Sequence, residues 1–113
     1  MIVAFLFLAS TGSAIENSQL LPTNLKITIV DGLGNNVEGA TVKLYKTEED
    51  YLNSENPIAE ETTNNKGVVK FKKLETIAYY IEVRKGEMSN DGKGAQVAPL
   101  EEGRTNQVNI VIE

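Results

Sequence analysis

The chain has 113 residues and a formal net charge of −5, one domain's worth and enough to bury a core unaided by metal or crosslinks. It contains no cysteine, which excludes disulfides, zinc–thiolate sites, thiol nucleophiles and a lipid-bearing cysteine, and no histidine, which removes the usual neutral-pH base and every Ser-His-Asp arrangement. Acidity and scattered lysines argue against nucleic acid as a partner, because phosphate contacts call for a basic stripe with aromatics interleaved.

Residues 1–14 differ in composition from the rest of the chain. Ile2 to Ala9 form an apolar run, and Ser10-Thr11-Gly12-Ser13-Ala14 places small residues one and three positions before a cut after Ala14. That grammar predicts a secretory signal, and hence export to the periplasm, the cell surface or the medium. The n-region lacks Lys and Arg, which a start upstream of Met1 would supply. The alternative is an apolar N-terminal strand or a tail. The run is far short of the ~20 apolar residues a spanning helix needs. Residues 15–24 read as a polar lead-in, with Pro22 stopping any helix, and residues 25–113 as the folded domain.

Leu25 to Tyr45 carries the clearest signal. Leu25, Ile27 and Ile29 alternate, as do Ala40, Val42 and Leu44, so each strand sets one apolar row against a common core. Asp31, Gly32, Gly34, Asn35, Asn36 and Gly39 between them are turn residues. Strand one is expected over Leu25–Val30 and strand two over Ala40–Lys46. Thr47 followed by Glu48, Glu49 and Asp50 is a helix-start signature, which predicts one or two helical turns. Ile58–Thr62 reads as a short polar edge strand, followed by an Asn64–Gly67 turn into Val68–Leu74, together a hairpin. Tyr79–Lys85 alternates Tyr79, Ile81 and Val83 against Tyr80, Glu82 and Arg84. Asp91-Gly92 marks a turn, Ala95–Ala98 a minor strand before Pro99, and Thr105–Ile112 the last strand, with Val108, Ile110 and Ile112 inward. About six or seven short strands at regular spacing, with no crossover helix, indicate an all-β antiparallel sandwich or small barrel with a short helical turn after the second strand.

Val30-Asp31, Gly34-Asn35, Val37 to Val42, Thr63 to Gly67, Val69-Lys70-Phe71, Leu74 and Tyr79-Tyr80-Ile81 together resemble the carboxypeptidase regulatory-like, or prealbumin-like, β-sandwich family. Its relatives include the B-type repeats of collagen adhesins, and the chain looks like the small exported versions common in Bacteroidetes. The resemblance implies an Ig-like or prealbumin-like sandwich over nearly all of the chain beyond the signal. Some prealbumin-like relatives are hydroxyisourate hydrolases, which depend on histidines and a C-terminal segment that this chain lacks. Adhesin B-type repeats carry an intramolecular isopeptide bond between a first-strand Lys and a last-strand Asn, assisted by a buried acid. Lys26, Asn109 and Glu82 hold similar places, but each alternates with apolar neighbours and is expected to face water.

Other candidates are weaker. Glu48, Glu49, Asp50 and Glu55, or Asn90 with Asp91, offer oxygen ligands without calcium-loop spacing, so no metal or other cofactor is expected. Glu60 and Glu61 with Glu101 and Glu102 could supply carboxylates to a hydrolase, though nothing in the sequence positions them. Tyr45 and Tyr80 are out of phase with the core rows and would form a stacking platform for sugar if their strands were neighbours; Tyr51 is a further aromatic handle. The reading is a non-enzymatic, monomeric, exported binding or structural accessory domain, meeting an envelope protein or glycan through end loops or an edge strand, for which Ile58–Thr62 is the candidate. Carbohydrate binding on the tyrosines is the alternative, and carboxylate-based hydrolysis a remoter one.

Overall fold

The computed structural model describes residues 21–113; the expected signal over residues 1–14 and most of the lead-in lie outside them. The elements are β1 (Asn24–Asp31), β2 (Thr41–Tyr45), α1 (Glu48–Asn53), β3 (Ala59–Thr62), β4 (Val68–Phe71), β5 (Tyr79–Lys85), β6 (Met88–Ser89), β7 (Gln96–Val97) and β8 (Thr105–Ile112). They form a two-layer sandwich, β4-β1-β8 against β3-β2-β5-β6, with β7 also on β5. The expected all-β sandwich is therefore what the chain forms, with the minor strand expected over Ala95–Ala98 present as β7 and one further two-residue strand, β6, added. One pair differs from the antiparallel pattern, since β1 and β8 run parallel from Asn24↔Thr105 to Asp31↔Ile112.

Alternation places the core as the sequence implies. Leu25, Ile27, Ile29, Val42, Leu44, Ile81 and Val83 are all fully buried between the layers, each worth roughly 1.5–3 kcal/mol of apolar burial. The apolar row of β4, Val69 and Phe71, completes one side of this core, packing opposite Ile27 and Leu25.

The expected hairpin over 58–74 does not form. β3 pairs with β2 and β4 pairs with β1, so the Thr63–Gly67 link carries the chain from one layer to the other. Two residues fix this crossing. Buried Thr63 accepts from Ala40 N through Oγ1 at 2.9 Å and donates to the Val37 carbonyl at 2.7 Å. Gly67 has φ +77°, and a Cβ there would lie 2.7 Å from the Ile29 carbonyl oxygen, so only glycine fits. A turn signal between two short apolar runs reads the same for a hairpin and for a layer crossing; the packing of both strands decides.

α1 forms as its signature implies. Thr47 Oγ1 accepts from Asp50 N at 3.1 Å, acidic residues fill the first turn, and Ser54 ends the helix in the left-handed conformation. Among the described residues no helix is long and apolar enough to cross a membrane.

Candidate functional site

The outer face of the β2–β5 sheet carries the densest polar chemistry. In register, Tyr45 lies opposite Tyr80 and Lys43 opposite Glu82. The two tyrosine-bearing strands are thus neighbours, but α1 folds back over them. Tyr51 meets Tyr45 edge-on at 6.0 Å between centroids and stacks with Tyr80 at 6.2 Å. Tyr45 is consequently fully buried, and its ring offers no open face to a sugar; Tyr80 is half-buried. The alternation that put Tyr45 on the outer face was correct, but it carried no information about what covers that face.

Glu82 departs from expectation for the same reason. It lies outside the sandwich core but is only 6% exposed. Its carboxylate accepts from the Tyr45 hydroxyl at 2.7 Å, Arg84 Nε at 2.9 Å and Ser54 Oγ at 3.2 Å. Arg84 reaches on to Asp91 at 3.2 Å. Burial opposes ionisation of Glu82, but the hydrogen bonds from Tyr45, Arg84 and Ser54 outweigh it and hold the carboxyl below its usual 4.5. Burial, and then the Glu82 carboxylate, push the Tyr45 phenol up to about 12, so it remains a donor at neutral pH. The three hydrogen bonds to Glu82 fasten β2, β5 and the end of α1 together, so this network works as a clamp.

The remaining candidates are dispersed. Lys26 and Asn109 share the outer face of the β4-β1-β8 sheet, with Thr28 rather than Lys26 opposite Asn109, while Glu82 is on the outer face of the other layer. The structure does not bring these three together. Glu60 and Glu61 sit on edge strand β3, and Glu101 and Glu102 in the link before β8, on opposite sides of the sandwich. Asn90, fully buried, is consumed by backbone: its Oδ1 accepts from Val83 N at 3.0 Å and its Nδ2 donates to the Ile81 carbonyl at 2.8 Å. It stands in for ladder partners between β6 and β7, a role that its place in a turn-rich stretch did not suggest. Among the described residues no group of three or more acidic side chains is arranged to hold a metal.

A groove of about 690 Å³ lies between β8 and the Lys93–Glu101 segment. At its start, Asn106 joins the wall, accepting from Glu101 N at 2.8 Å through Oδ1. At its far end, Glu113 and Ser89 exchange two backbone hydrogen bonds of 3.1 Å. A second groove, about 680 Å³, runs between β3 and β4 beneath Lys70, Lys72 and Lys73.

A family model described as SpaA: Prealbumin-like fold domain matches residues 23–87, more than half of the chain. The chain belongs to this family. No curated protein matches the prealbumin-like chain in sequence at a significant level. Solved structures extend the likeness of fold. A streptococcal ancillary pilin superposes with a TM-score of 0.63 at 16% identity, over 82% of this chain and 32% of its own. The Bacillus anthracis TIE protein follows at 0.61 and 19%, over 82% of this chain and 16% of its own. A Pseudomonas putida chlorocatechol 1,2-dioxygenase reaches 0.55 at 14%, over 81% of this chain and 60% of its own. The prealbumin-like chain thus spans a third or less of the first two, and the presence of a pilin and a dioxygenase among its neighbours ties the fold to no single activity.

Proposed function

We propose that the chain is a non-catalytic prealbumin-like module of an exported surface assembly, acting by protein contact. The family match over residues 23–87 carries this reading, and the likeness to a streptococcal pilin supports it. The separation of Glu60 and Glu61 from Glu101 and Glu102 adds weight, because a hydrolase needs its carboxylates to converge. The signal-like residues 1–14, the monomeric state and the finer resemblance to small exported carboxypeptidase regulatory-like domains belong to the same proposal.

The test is to locate the natively expressed protein by fractionation and to isolate it under mild crosslinking. Recovery at the cell surface, crosslinked to other surface proteins, is the expected result. A cytoplasmic product without protein partners would overturn the reading. A second reading, glycan binding, rests on the stacked and partly exposed Tyr51–Tyr80 pair. It is checked by titrating envelope oligosaccharides against tyrosine fluorescence, with no change counting against it.

A further inference from the structure

Every sheet edge among the described residues is blunted except one. β3 is four residues long and carries Glu60 and Glu61, and β4 is equally short, with Lys70 within it and Lys72 and Lys73 following. β6 and β7 are two residues each. Short length and charge are the usual means of stopping an edge from accepting another strand. β8 has neither. Its sequence, Thr-Asn-Gln-Val-Asn-Ile-Val-Ile, is eight residues long, uncharged and free of proline and glycine. It pairs with β1 on one side alone. Between the anchors at Asn106 and Glu113, Gln107–Ile110 borders the 690 Å³ groove and Val111 continues the same free edge of β8.

The core is also unfinished there. Val108 and Ile110 belong to the inward row opposite Ile27 and Ile29, yet they are only half-buried where Ile27 and Ile29 are fully buried. Leu100 and Val97 stand in the facing wall of the groove.

We propose that this groove accepts an extended segment of another protein, which pairs with β8 along Gln107–Val111 and lays alternate apolar side chains over Val108 and Ile110. The charges at the groove's ends specify the occupant. Arg104 is paired with Glu101 at 2.9 Å and Lys93 with Glu113 at 3.2 Å, so the groove presents no unspent charge and suits an uncharged segment. Its length is set by the window, about five residues at ~3.3 Å each. A second copy is the wrong occupant: two such edges meeting over roughly 17 Å would bury a few hundred Å², well below the ~1,200 Å² of a stable dimer. A single strand inserted between the layers buries both its edge and its inward side chains. The inference rests on the protein-contact reading and names the surface that makes the contact.

The probe is a capped synthetic peptide of the β1 sequence, Asn24–Asp31, whose uncharged stretch Ile27–Val30 alternates as the groove requires and whose end charges keep it soluble. It is titrated into the full ¹⁵N-labelled chain, alongside the same peptide with alternate backbone amides N-methylated. Saturable shifts at Gln107–Val111 and Ala95–Leu100, with affinity lost about ten-fold or more on N-methylation, are expected. Ile110→Lys, which puts a charge into the groove, should abolish the same shifts; the wild-type comparison of the two peptides stands even if that variant does not fold. Absence of shifts at millimolar peptide, shifts on β3 instead, or equal binding of both peptides would overturn the proposal, as would concentration-dependent dimerisation through β8. A failed titration with a chain still crosslinked to surface partners sinks this inference alone, whereas a cytoplasmic, partnerless chain sinks the reading beneath it.

Discussion

At the level of single residues, the clamp around Glu82 decides how this outer face behaves with pH. Because its folded pKa lies below the ordinary 4.5, its stabilisation is fully present above about 4.5 and fades as pH falls through the lower folded value. Wild type should therefore lose more stability between about pH 5 and about pH 3 than Glu82→Gln, which has nothing to titrate at this position. Tyr45→Phe removes the 2.7 Å donor without touching the ring and should cost about 1.5–3 kcal/mol at neutral pH. Urea denaturation of the three proteins across this range checks both; parallel pH profiles for wild type and Glu82→Gln would show that the clamp contributes nothing. None of this was legible in the sequence. Period-two alternation reports which face of a sheet a residue occupies, and Glu82 reads there as one more exposed polar residue. What buries it is a helical turn formed some thirty residues earlier in the chain, a contact that no local pattern encodes.

At the level of elements, local chemistry was legible and partnership was not. The helix of Glu48–Asn53 was readable because its cap is a matter of neighbouring residues, and the strand at Tyr79–Lys85 because its apolar row is unbroken. The hairpin expected from Ile58 to Leu74 failed because pairing depends on which layer has room. The edge status of Ile58–Thr62 could be read from its polarity, which is also what makes β3 a poor acceptor. A six-residue helix is marginal alone, so α1 must owe its persistence to Tyr51 against Tyr45 and Tyr80. Tyr51→Ala should release it, raising hydrogen exchange across Glu48–Ser54 and changing the near-ultraviolet dichroism of the tyrosines while the sandwich stays folded. Thr47→Ala should cost about 1 kcal/mol through the cap alone. If Tyr51→Ala left exchange in α1 unchanged, the cluster would not be what holds the helix.

At the level of the whole molecule, one layer is built from strands far apart in sequence. β1 rests between β4 and β8, and β8 comes from the other end of the described chain. Such non-local pairing predicts folding in milliseconds to seconds rather than microseconds. It also makes β8 indispensable: truncation after Arg104 strips one side of Leu25, Ile27 and Ile29 and leaves β1 with β4 alone. That truncated chain should show no cooperative thermal transition by circular dichroism, and a cooperative one would mean that the core is complete without β8.

The parallel course of β1 and β8 has a mechanical consequence. Two neighbouring strands running the same way put Asn24 and Ile112 at opposite ends of the ladder, roughly 23 Å apart along it at ~3.3 Å per residue. A pull between those residues slides the strands past one another and strains all the ladder's hydrogen bonds together, whereas a hairpin would be unzipped one bond at a time. In an assembly that pulled on those two residues the sandwich would be loaded in shear, and copies linked that way would form a cord that lengthens little until a whole module gives way.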